Sequence, residues 1–273
     1  VKIIRHFVGG WLVMVPSLFL VGCVDSTPTN PSFAVTRSQA RAALSDAAAH
    51  PKPLRRPLVI VGGFVDPLGS QWLAHDFRNY FHDDDCIIAV PLFAANSFED
   101  CRRRIVTAVD KAFPSSDSRW TTEVDVIGFS LGGLAARYAA EPPNMPGIRR
   151  LCIARLFTIA SPLRGASLAN WLPFNLHPLQ DSMRSGSPIL KCMDAAAYEP
   201  GNSYPIYPYV CATDYIVGAA NAAPAYRIAW WINRVPWLPP HSSAYLDPRI
   251  RADIVRRLRD EPAWSTLPAA PLP

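Results

Sequence analysis

Short apolar runs and amphipathic stretches alternate through the middle of the chain. Runs rich in aliphatic and β-branched residues occupy 58–61, 86–90, 124–127, 151–159 and 207–212. Leu-Val-Ile-Val at 58–61 has no polar position at all. That is how a strand reads when both of its faces are covered. Between the runs, apolar residues return at helical spacing, which predicts helices over 69–82, 97–113, 131–141 and 247–260. Gly, Pro or Ser follows each run before the helical stretch begins. This repeated order of strand, turn and helix predicts an α/β chain, with a mostly parallel central sheet and helices on both faces. In such sheets ligands bind beyond the carboxyl ends of the strands, so the turns after the runs are where chemistry belongs.

The ends of the chain follow other patterns. Lys2 and Arg5 precede an apolar run over 7–21 that is interrupted only by Gly9, Gly10, Pro16 and Ser17. Fifteen residues with a Pro fall short of the ~20 needed to span a bilayer, so the run reads as the core of a signal peptide. Leu20-Val21-Gly22-Cys23 resembles the lipobox of bacterial lipoproteins, whose Cys is diacylated and becomes the new N-terminus. The resemblance implies a signal peptide over 1–22 and membrane anchoring through lipid on Cys23. It also implies a place in the bacterial cell envelope, the outer membrane being favoured because Val24 rather than Asp follows the Cys. Residues 23–56 are rich in Pro, Ser, Thr and Ala and are expected to form a tether, with a short helix over 36–49. A folded body over 57–262 follows, then a Pro-rich tail over 263–273 that is expected to fray.

Composition narrows the picture further. With 273 residues, 49% hydrophobic and 18% charged, the chain has material for one sizeable core and is not a disordered protein. The formal charge of +5 includes Lys2 and Arg5 of the leader, and the remaining Arg residues are scattered. Such a balance does not build a nucleic-acid surface. Arg102-Arg103-Arg104 and Arg256, Arg257 and Arg259 read as solvated helix faces. Export would place Cys86, Cys101, Cys152, Cys192 and Cys211 in an oxidising compartment, where five thiols leave at least one free. Cys152 lies in an apolar run and is the expected buried thiol; pairing among the others is open. No spacing suggests a zinc site or a calcium loop, and no Gly-rich dinucleotide fingerprint occurs, so neither metal nor cofactor is expected.

The sharpest signal is Gly128-Phe129-Ser130-Leu131-Gly132-Gly133, at the end of a predicted strand and the start of a predicted helix. A nucleophile projected from so tight a turn needs neighbours at −2 and +2 without side chains, and Gly128 and Gly132 supply them. This elbow resembles the nucleophile region of α/β-hydrolase lipases. The likeness continues in Ile60-Val61-Gly62-Gly63-Phe64 and in Thr158-Ile159-Ala160-Ser161-Pro162. It implies a compact α/β-hydrolase fold lacking obvious counterparts of the family's first two strands, and relatives among bacterial triacylglycerol lipases and GPI-inositol deacylase-like enzymes.

A serine hydroxyl needs a base, and the base needs an acid to hold its tautomer. The family's order is Ser, acid, His. After Ser130 only His177 and His241 remain, and His241 lies late in the chain, just before a basic helix, where such lipases place their base. Asp214 directly follows the last strand-like run and matches the family's acid turn, whereas Asp181, Asp194 and Glu199 are less well placed. The resemblance assigns the oxyanion donors to the main-chain N–H groups of Leu131 and Phe64, with Gly63 next in line. It also shows a departure, because Gly62 stands where the family carries His. Aromatic segments around Trp171 and over 229–238 are expected to form an acyl pocket or lid, or to pack onto the core. The implied activity is serine ester hydrolysis, of lipase or carboxylesterase type, on an acyl ester or lipid. Acyl transfer through the same acyl-enzyme is the alternative, and a non-catalytic envelope lipoprotein is the alternative from another class.

Overall fold

The computed structural model describes residues 29–64, 67–82, 84–143, 147–172, 177–196, 204–233 and 238–273. Cys23 and the expected signal peptide over 1–22 lie outside them. Among the described residues, six strands form one sheet: β1 (Leu58–Val61), β2 (Ile87–Val90), β3 (Val124–Phe129), β4 (Ile153–Ile159), β5 (Ile206–Cys211) and β6 (Trp230–Ile232). All pairings are parallel and the order is β2-β1-β3-β4-β5-β6. From β1 the chain moves outward to β2 and then returns to the other side as β3. The strand order therefore reverses at β1, and in sheets of this kind the ends of the strands on either side of such a reversal, here β1 and β3, are where ligands bind.

The helices are α1 (Arg37–Ala49), α2 (Gly69–Arg78), α3 (Phe98–Ala112), α4 (Leu131–Ala140), α5 (Ser167–Trp171), α6 (Leu179–Ser182), α7 (Pro188–Ala196), α8 (Pro240–Leu246) and α9 (Pro248–Leu258). Successive side chains of a strand point to opposite faces, and β1 shows the division clearly. Leu58 and Ile60 join a core with residues of α1, α2 and α9, whereas Val59 and Val61 join a second core with α3, α4 and α7. Burial of β1 on both faces is what its unbroken apolar sequence required. The sheet, its two helical layers and the tight turn after β3 constitute an α/β-hydrolase fold.

Both expected flexible ends are, where described, part of the body. Thr36 and Gln39 form a reciprocal capping box that starts α1, and Ala40, Leu44 and Ala47 are buried in the core beside α9. Arg37 reaches Asp247 at 3.4 Å. At the other end, the indoles of Trp230 and Trp231 donate to the carbonyls of Thr266 (2.7 Å) and Ala270 (3.2 Å), and Thr266 N–H donates to Ser32 O. The tail and the segment before α1 thus cover the edge beside β6, and the main-chain acceptors that hold them carry no compositional signature. Asp253, fully buried in α9, completes the latch. Its carboxylate accepts from Trp264 N, Ser265 N, Ser265 Oγ and Tyr209 OH.

Three side-chain expectations are corrected. Arg102 is buried rather than solvated, and its guanidinium donates to the carbonyls of Tyr138 and Glu141 at the carboxyl end of α4. Arg257 stacks on the Tyr207 and Trp230 rings and bonds Asp253, again not a solvated face. Among the thiols, Cys101 and Cys211 are the buried ones and Cys152 is half-buried; these three and Cys192 are free. Burial pushes the Cys101 thiol up to about 12 and raises that of Cys211. Alkylation requires thiolate and access. Brief iodoacetamide treatment of folded protein is therefore expected to modify the exposed Cys192 and spare Cys101 and Cys211, as read by peptide mass spectrometry. Equal labelling of all three contradicts their placement.

Candidate functional site

β3 is buried along its whole length and ends at Ser130, whose φ of 51° and ψ of −126° lie where a side chain is rarely tolerated. Ser130 N–H donates to Ile159 O at 2.9 Å, tying the turn to β4. Ser is ordinarily a preferred N-cap, yet Ser130 makes no side-chain capping bond at the start of α4. Its hydroxyl is not spent on the helix. Leu131, at the first helical position, offers one of the N–H groups that a helix start leaves without an intrahelical acceptor.

Close approach enforces the glycines. A Cβ on Gly128 would lie 2.3 Å from Gly133 Cα, and one on Gly132 would lie 2.2 Å from Val61 O. Gly133 is a third requirement that the pentapeptide pattern does not contain, because its Cβ would meet Ser161 Oγ at 2.2 Å. These contacts press the elbow against the end of β1, where Gly62 N–H donates to Val90 O at 3.0 Å. A Cβ on Gly63 would lie 3.2 Å from Ser130 Cβ. The turn that carries Phe64 therefore borders Ser130. Ser70 of α2 also belongs to this region, with its hydroxyl 3.0 Å from the Cβ position of Gly62; nothing in the sequence signalled it.

Asp214 follows β5 and is buried. Its Oδ1 accepts from Ile216 N (2.9 Å) and Val217 N (3.2 Å), and its Oδ2 pairs with His241 Nδ1 at 2.8 Å. With Nδ1 donating to the carboxylate, Nε2 of a neutral ring is left as the acceptor. His241 is buried in α8, whose start is set by Pro239 at the N-cap and Pro240 at the first position. The His241 ring packs on Phe129 with centroids 5.1 Å apart, beside the residue that precedes Ser130. Tyr245 packs on the same Phe129 ring at 4.4 Å, and Trp72 continues the aromatic wall. Helical spacing from His241 to Tyr245 was the signal available for that wall.

The remaining candidates lie elsewhere. Exposed Asp181 pairs with Arg184, and half-buried Asp194 pairs with buried Arg137, while Glu199 is outside the described residues. His177 sits on the Phe64 ring. Trp230 and Trp231 form β6 inside the core, so that half of the expected lid is packing; a strand of three residues flanked by Pro was too short to register as a period. Trp171 is 76% exposed at the end of α5, after β4. Among the described residues no group of three or more His, Cys, Asp or Glu could hold a metal ion, and no helix is long and apolar enough to cross a membrane.

No family model and no curated protein matches the chain. Among solved structures it is similar to phospholipase PlaB from Legionella pneumophila. One PlaB structure, in complex with thio-NAD, aligns at 15% identity and a TM-score of 0.43 over 61% of this chain and 44% of that one. Another gives 13% and 0.46 over 63% and 45%. A metagenomic carboxyl esterase aligns at 14% identity and a TM-score of 0.46 over 77% of each chain. The chain spans less than half the length of the two PlaB chains.

Proposed function

We propose that this chain is a serine ester hydrolase of lipase or carboxylesterase type. Ser130 carries the reading. It is a strained non-glycine residue at the point where the strand order reverses, with its hydroxyl unspent and a buried imidazole–carboxylate pair packed against its neighbour. In this mechanism His241 Nε2 accepts the Ser130 proton as Oγ bonds to the ester carbonyl carbon. Asp214 holds the ring and stabilises the imidazolium, and the Leu131 and Phe64 N–H groups bind the oxyanion. The tetrahedral intermediate collapses with loss of the alcohol, which takes the proton from His241. Water, deprotonated by the same imidazole, then attacks the acyl-enzyme and releases the acid. The same proposal puts the enzyme on the bacterial envelope through lipid on Cys23, supported by Leu20-Val21-Gly22-Cys23, with an acyl ester or membrane lipid as substrate.

A fluorophosphonate tests the nucleophile directly, because Oγ displaces fluoride and a stable phosphonyl ester remains. Intact-mass measurement is expected to show one adduct, mapped to the Ser130 peptide and missing after prior unfolding. An unchanged mass for the folded protein refutes the reading.

A further inference from the structure

The turn expected to supply the Phe64 N–H is tied at its start by the Gly62 N–H bond to Val90 O at 3.0 Å, and Phe64 itself packs against the core that includes α3 and α4. A Cβ on Gly62 would lie 3.0 Å from Ser70 Oγ, and one on Gly63 would lie 3.2 Å from Ser130 Cβ and the Phe129 ring, so a side chain at either position would crowd its neighbours. Two consecutive glycines make a permissive backbone, whereas an oxyanion donor works only if it is already aimed when charge develops. Phe64 is the first side chain on the turn. Its ring meets His177, with centroids 4.2 Å apart and planes at 57°. His177 arrives from the segment between α5 and α6 and is itself fastened, because Leu179 N–H donates to its Nδ1 at 3.2 Å and Gln180 N–H to its carbonyl at 2.9 Å. Leu179 is buried in the core, which anchors that segment.

We propose that His177 is a positioning residue whose ring, clamped on Phe64, holds the Gly62-Gly63-Phe64 turn in register with Ser130. This rests on the ester-hydrolase reading and adds to it the part that organises the oxyanion site. An imidazole from a segment distant in the chain thus reaches the side chain that ends the turn.

Two substitutions separate the ring from the local hydrogen bond. His177→Asn keeps an acceptor for Leu179 N–H but removes the ring; His177→Phe keeps a ring and removes the acceptor. For a soluble short-chain p-nitrophenyl ester, His177→Asn is expected to lower kcat by about tenfold or more, part of the hundred- to thousandfold that loss of a whole donor costs. KM should change by less than about twofold, and the melting temperature should stay close to that of the parent. His177→Phe should stay within about threefold of the parent kcat, since the ring does the work. A purely structural turn role predicts the reverse order. Parent-like kcat in His177→Asn, or equal losses in both variants, overturns the positioning role in an otherwise active enzyme. If the unaltered protein neither hydrolyses esters nor takes up a fluorophosphonate, the hydrolase reading itself fails, and the positioning role falls with it.

Discussion

Ser130→Ala is expected to lower kcat for ester hydrolysis by about 10⁵- to 10⁶-fold, the scale seen when a covalent nucleophile is removed from a Ser-His-Asp unit. KM should change little, because the hydroxyl is used in bond formation rather than in holding the ground state. Stability should also change little. The Ser130 side chain makes no capping bond, and alanine meets the same steric cost at a φ of 51° that serine already bears. A residual rate above that in water is expected, since the proposed main-chain donors at Leu131 and Phe64 stay in place. The assay is hydrolysis by the purified variant beside the parent, with melting temperatures showing that both are folded. Parent-like turnover by a clean preparation of the variant excludes Ser130 as nucleophile.

Gly132→Ala is expected to act on the fold, and with a sign opposite to helix propensity. Gly132 lies within α4, where replacing Gly by Ala ordinarily stabilises by about 1 kcal/mol. Here the new methyl carbon would lie 2.2 Å from Val61 O and 2.7 Å from Gly62 O. Both are main-chain atoms of the central strand and its turn, and no rotamer change moves them aside. The helix must shift away from β1, opening packing that includes the buried Leu131 and Leu134. Overpacking that forces backbone to shift costs typically about 1–3 kcal/mol and occasionally more. Contacts as short as these to main-chain oxygens place Gly132→Ala at or beyond the upper end of that range. The expected result is a large fall in the urea midpoint or loss of soluble protein. A variant more stable than the parent contradicts the close approach of α4 and β1.

Much of the architecture was legible because it rests on local rules. β1 to β5 announced themselves as apolar runs, and the helices over α2, α3, α4 and α9 announced themselves through spacing, their ends differing by a few residues from expectation. The elbow was legible because its glycines are a steric necessity. β6 was not, being three residues long, nor was the attachment of the tail, which depends on Trp indoles meeting main-chain carbonyls. Arg102 shows the same limit. In a run of three arginines the sequence does not say which guanidinium turns inward to cap a neighbouring helix.

The candidate site divides along the same line. Ser130, Asp214 and His241 were chosen as residue types in a required chain order, and that order is a property of the sequence. Folding decides that Asp214 is buried with three donors on it, that His241 lies on a helix against Phe129, and that a His from another segment rests on Phe64. By itself the sequence determined the parallel sheet, the tight turn at Ser130 and the short roster of acids and bases, because periodicity and steric exclusion act between near neighbours. Tertiary structure alone decided which of those groups touch and which surfaces are shut from water, because parallel strands bring together residues far apart in the chain and burial is set by what packs across that gap.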